Sequence, residues 1–173
     1  MSVRVYVPTT LRGLAAAVRD QEVGPLRGTA FAVTRELTRS APGADTEELE
    51  YLAMVDAARA SLRLIGAQGE DTPSLRVVIA ADVDGEVRER EDLDRSVVTL
   101  GAPIPWRAVA AVHLDGADAA DAVAAAAAAV DAADLGDLDA EFVVGSAEDF
   151  ELAWYAPGEI VYLLQELGLD PAN

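Results

Sequence analysis

The chain has 173 residues, no cysteine and a net charge of −18. The missing cysteine excludes disulfides, thiolate metal sites and cysteine nucleophiles. The negative charge argues against direct contact with nucleic acid or anionic membrane, whose phosphates need cations. It is unevenly placed: residues 1–107 carry 17 acids against 13 arginines, whereas residues 108–173 carry 14 acids and neither Lys nor Arg.

A chain of this length buries roughly 70% of its unfolded surface, enough for one core without covalent staples. One domain over residues 1–173 is the expectation. The N-terminus shows no basic region leading into an apolar run. The longest low-polarity run, Ala122–Val130, falls short of the about 20 residues a membrane span needs. A cytoplasmic protein without membrane contact is expected.

In chain order, Val3-Arg4-Val5-Tyr6-Val7 alternates and reads as a strand stopped by Pro8, which lacks a donor. Thr9 or Thr10 caps a helix from Leu11 to Asp20, which Val23-Gly24-Pro25 keeps from continuing. Thr29–Thr34 reads as a second strand, and Glu36-Leu37 can begin a short helix ended by Pro42-Gly43. The organising stretch runs from Asp45 to Ala81. Asp45 and Glu48 form a capping-box pattern, and Tyr51, Met54, Val55, Ala58, Leu62 and Ile65 recur every three or four residues. Gly66 is expected to end this helix in the left-handed region. After a loop over Ala67–Ser74, Leu75–Ala81 is nearly continuous in apolar residues, as in a strand covered on both faces.

Asp82–Arg95 reads as a charged loop or frayed helix, with a turn at Asp84-Gly85. Asp82, Asp84 and Glu91 partly match a calcium loop, but Ala80 holds the first ligand position, so no metal is expected. Ser96–Leu100 and Val109–Leu114 are strands, and the short link Gly101–Pro105 favours pairing them antiparallel. Asp118 is expected to cap an alanine-rich helix to about Ala133, with Val123 and Val130 inward. Ala140–Val144 and Glu151–Ala156 read as strands. Pro157 opens a last helix with Ile160, Leu163, Leu164 and Leu167 buried and Gly168 at its end. Helices interleaved with strands indicate an α+β (mixed α/β) protein, a two-layer or three-layer sandwich with a mixed sheet. The ferredoxin-like arrangement, doubled, is the specific form expected.

Chemistry is sparse. His113 is the only histidine, so no histidine cluster can hold a metal; Asp115 or another acid can orient its ring, yet no Gly-x-Ser-x-Gly elbow supplies a serine, and the competing reading is a strand-end histidine hydrogen-bonded locally or solvated. No phosphate-binding glycine motif is present, and no cofactor is expected. Asp134, Asp137, Asp139 and Glu141 cluster in what reads as a solvated linker. Arg59 and Arg63, one helical turn apart, can grip an anion; the competing reading pairs them with Asp56 or neighbouring acids along the helix. Trp106, Trp154 and Tyr155 suit either core packing or an interface, since they bring area and one polar handle. As strand neighbours, Trp154 and Tyr155 point to opposite faces.

The segments Arg4-Val5-Tyr6-Val7-Pro8, Phe31-Ala32-Val33-Thr34, Ala57–Leu64, Val109–His113 and Leu152–Ala156 together resemble a family of small actinobacterial proteins of unknown function. The resemblance implies one domain and carries no activity, cofactor or catalytic residue. Two functions follow from the residues. The first is a non-enzymatic, cytoplasmic protein-interaction or regulatory domain with an acidic C-terminal third, binding a protein partner or itself. The second is a small-molecule-binding protein or unfamiliar enzyme using Arg59, Arg63 and His113.

Overall fold

Val5 and Val7 are buried on one side of a sheet and Tyr6 on the other. Strand β1 (Val3–Thr9) can bury both faces because it lies in the middle of the sheet. The computed structural model describes residues 1–69 and 71–172; Glu70, inside the expected Ala67–Ser74 loop, lies outside the described residues. Strand β4 (Val77–Val83) pairs with β1 along its whole length, from Val3↔Val83 to Thr9↔Val77. Pro8 does not stop β1 as expected. On its other side β3 (Thr29–Phe31) pairs only at Tyr6↔Phe31, so the donor missing at Pro8 interrupts no ladder there.

The remaining large-sheet strands are β5 (Val87–Glu89), β6 (Val97–Leu100), β8 (Val109–Leu114) and β9 (Ala153–Tyr155). The order is β5-β6-β3-β1-β4-β8-β9. A two-residue pair, β2 (Glu22–Val23) with β7 (Ile104–Pro105), lies apart from it. The mixed α/β sandwich is what forms, but among the described residues every pairing is antiparallel, where a mixed sheet was expected. Helix α1 (Leu11–Asp20) accounts for one such pairing. It returns the chain along β1, and residues 21–28 then carry it back, so β3 enters from the far end. The sheet does not divide into two ferredoxin-like halves, because β5 and β6 extend it beyond β3. Nor do β6 and β8 pair across their short link: β6 lies between β5 and β3, and β8 between β4 and β9. The link instead gives β7 to β2.

Helices cover both faces. Helices α1 and α6 (Ile160–Glu166) pack on the side of Val5, Val7, Val77 and Ile79. Helix α3 (Thr46–Ile65) packs on the side of Tyr6, Val78 and Ala80. Its capping box is formed as the sequence indicates: the Asp45 carboxylate accepts from Glu48 N at 2.8 Å, and Glu48 accepts from Asp45 N at 3.0 Å. Beyond α3 lie α4 (Ala120–Asp134) and α5 (Leu138–Glu148), packed through small side chains onto Leu62 and Ile65.

Several local expectations change. Gly66 stays right-handed, at φ −59°; its requirement is space, since a Cβ there would lie 3.2 Å from the Ala127 carbonyl oxygen of α4. Thr34 leaves the strand and caps the short helix α2 (Arg35–Ser40) by accepting from Leu37 N. The charged segment after β4 contains β5, which pairs with β6. Asp118 lies in a 3₁₀ turn, Ala117–Ala119, and does not cap α4 through its side chain. Ala140–Val144, expected as a strand, belongs to α5. Asp137 caps that helix by accepting from Ala140 N at 3.0 Å, and Asp139 and Glu141 favour its positive end. No helix among the described residues is long and apolar enough to cross a membrane.

Candidate functional site

The two arginines of α3 define where the C-terminal helices attach. Arg59 donates from both terminal nitrogens to Glu141, at 2.9 Å each, and from Nη2 to Asp134 at 3.2 Å. Arg63 donates to the same Asp134 at 2.7 and 2.9 Å. The pairing runs to α4 and α5, and not along α3 as the competing reading had it; Asp56 is taken by Arg95 and Ser96. Asp134 and Glu141 are therefore part of a seam between helices, and the expected linker cluster does not exist.

The hydrogen bond from Arg63 holds the Asp134 carboxyl below its ordinary value, and Arg59 does the same for Glu141. Folded-state values that are depressed stabilise above the ordinary values of 3.8 and 4.5, and that stabilisation is lost as pH falls through the depressed values. The sign yields a test. The urea midpoint of an Arg59→Met/Arg63→Met variant should lie below that of the wild type at neutral pH, and the gap should narrow as the pH falls through the carboxylate range. A gap independent of pH would show that the seam acts through packing alone.

Arg59 also lines a cleft of about 320 Å³ between α3 and the segment joining α5 to β9, together with Tyr51, Val55, Arg76, Phe150 and Leu152. Most of its lining is apolar, Glu148 and Glu151 also line it, and its two guanidinium groups are already engaged. Arg76 is buried with Asp115: Nε and the backbone N donate to one carboxylate oxygen and Nη2 to the other, all at 2.8 Å, and Nη2 also donates to the Phe150 carbonyl at 2.8 Å. Asp115 thus serves Arg76 and not the His113 ring.

His113 lies on β8 in register with Trp154 on β9. It is half-buried, and burial, with a smaller push from Arg4, lowers its pKa. Neither His113 nor Arg63 lines the cleft that holds Arg59, so the three candidate ligand groups do not meet in it. Trp106 is half-buried in a 3₁₀ turn against the α1-side core, and Tyr155 packs against the same core. Trp154 faces the other way and is 61% exposed on the last strand of the sheet. The alternation within β9 makes this division.

The most exposed large apolar side chains of the acidic third lie elsewhere. Leu135, in the turn after α4, is 90% exposed; Leu138 and Phe142, four residues apart on α5, are 84% and 80% exposed. Sequence reasoning passed over them because it took Ala140–Val144 for a strand. The available signal was Asp137 as a cap followed by Leu138 and Phe142 at helical spacing.

No curated protein and no solved structure matches the chain. The pattern of one family, DUF6912, a family of unknown function, matches residues 3–164 and so takes in every strand among the described residues and the first part of α6. The chain belongs to that family.

Proposed function

We propose that this protein is a non-enzymatic interaction domain of the actinobacterial cytoplasm that docks a protein partner through its acidic C-terminal third. One observation carries the reading. Leu135, Leu138, Phe142 and Trp154 leave most of their surface in water, within a segment that has 14 acids and neither Lys nor Arg. Single exposed apolar residues are ordinary, but three within eight positions around one helix–helix turn form a patch of the kind that marks a partner site. The acidic surround supports a protein partner over nucleic acid or anionic membrane.

The reading of a small-molecule site at Arg59, Arg63 and His113 has weaker support. Arg59 and Arg63 already satisfy carboxylates, and neither Arg63 nor His113 lines the cleft beside Arg59.

Capture from a lysate of the source cell tests the proposal. The wild-type chain should retain discrete proteins that a Leu135→Ser/Leu138→Ser/Phe142→Ser/Trp154→Ser variant loses while its melting temperature is maintained. Identical captured sets would overturn it. Light scattering on the wild type identifies the case in which the partner is a second copy.

A further inference from the structure

We infer that the outer face of α5 receives a cationic amphipathic helix of the partner, an assignment that rests on the interaction reading above. Leu138, Phe142 and Gly145 follow one another at spacings of four and three, so they form one row along the helix. The row is unpartnered: Leu138 and Phe142 are exposed, while Val144 and Ala147 on the opposite side are buried against α4 and α3.

Gly145 is the second, independent observation. It lies inside α5, its φ is negative, and a Cβ built on it would meet nothing within 4 Å. Neither backbone conformation nor internal packing requires glycine there, although glycine weakens a helix interior relative to alanine. A helix laid against the row would make use of the space it leaves. The gap beside Phe142 lets a ridge of the incoming helix settle close to the α5 backbone.

Charge selects the occupant. Asp139 flanks the row, Asp149 follows it, and both are exposed; Glu141, on the other flank, is already paired with Arg59. An apolar stripe edged by Lys or Arg complements this surface. A second copy does not, because it would bring together two acidic segments that each have 14 acids and neither Lys nor Arg of their own.

The test is calorimetric titration of the full chain with a synthetic Leu/Lys amphipathic helix, and with a scrambled peptide of the same composition. The amphipathic peptide should bind and the scrambled one should not, with affinity falling as salt is added. Phe142→Ser should weaken binding about tenfold or more, and Tyr162→Ser, at an exposed side chain of α6 on the other side of the sheet, should leave it unchanged. Gly145→Ala should also weaken binding while raising the melting temperature by about 2–4 °C, so the loss cannot come from unfolding. Equal binding of the scrambled peptide, indifference to Phe142→Ser, or dimerisation of the free chain through Phe142 would each overturn the inference. If the peptide fails while lysate capture still depends on Phe142, the helical cationic partner is wrong and the interaction reading stands.

Discussion

Replacing Asp115 with alanine is expected to destabilise the protein by about 3–5 kcal/mol, measured by urea denaturation. Arg76 and Asp115 have side-chain exposures of 4% and 0%. Removing the carboxylate leaves a guanidinium in the interior with only the Phe150 carbonyl as acceptor, and leaves the Arg76 backbone N–H without its partner. The cost is that of an uncompensated buried charge, which exceeds the net worth of the pair itself. A double Arg76→Met/Asp115→Leu replacement separates the two. It should recover most of the loss, because an apolar pair of similar volume needs no compensation. A single-variant cost below about 1 kcal/mol, the level of an exposed pair, would show that water reaches the site. The pair also bears on the proposed surface. Through Phe150 it anchors the segment between α5 and β9, so the Asp115→Ala protein should exchange the amides of that segment faster than those of β1.

Leu62→Ala is expected to cost about 2–5 kcal/mol and to fall in the upper part of that range. Leu62 is buried where α3 meets α4 and α5, in a cluster that contains Ala119, Ala126, Ala127, Ala133 and Ala147 beside Ile65, Val123, Val130 and Val144. Alanines have no side-chain freedom with which to fill a void, so the cavity would persist. The loss should be uneven. Hydrogen exchange in α4 and α5 should accelerate more than in β1 and β4, whose buried side chains belong to other clusters. Uniform acceleration would mean that the helical pair and the sheet unfold as one unit.

Features fixed by neighbouring residues were legible in the sequence. The start of α3 follows from Asp45 and Glu48, three residues apart, and the two faces of β1 from strict alternation. The division of Trp154 from Tyr155 follows from strand geometry, and the unequal charge of the two parts of the chain from composition. Each of these depends on contacts within a turn or a pleat, which the local residue order sets. The tertiary structure decided the rest. Val143 and Val144 suit a strand, but the Asp137 cap and burial of Val144 against α4 hold them in a helix. Arg59 and Arg63 gave no sign of their partners more than 70 residues away. Arg76 looked like an interruption in an apolar run until Asp115 came beside it. Leu138 and Phe142 became a surface only when the opposite side of α5 was taken by the core. In each case the deciding free energy comes from groups distant in sequence, and it exists only once the sheet and its helices have brought them together.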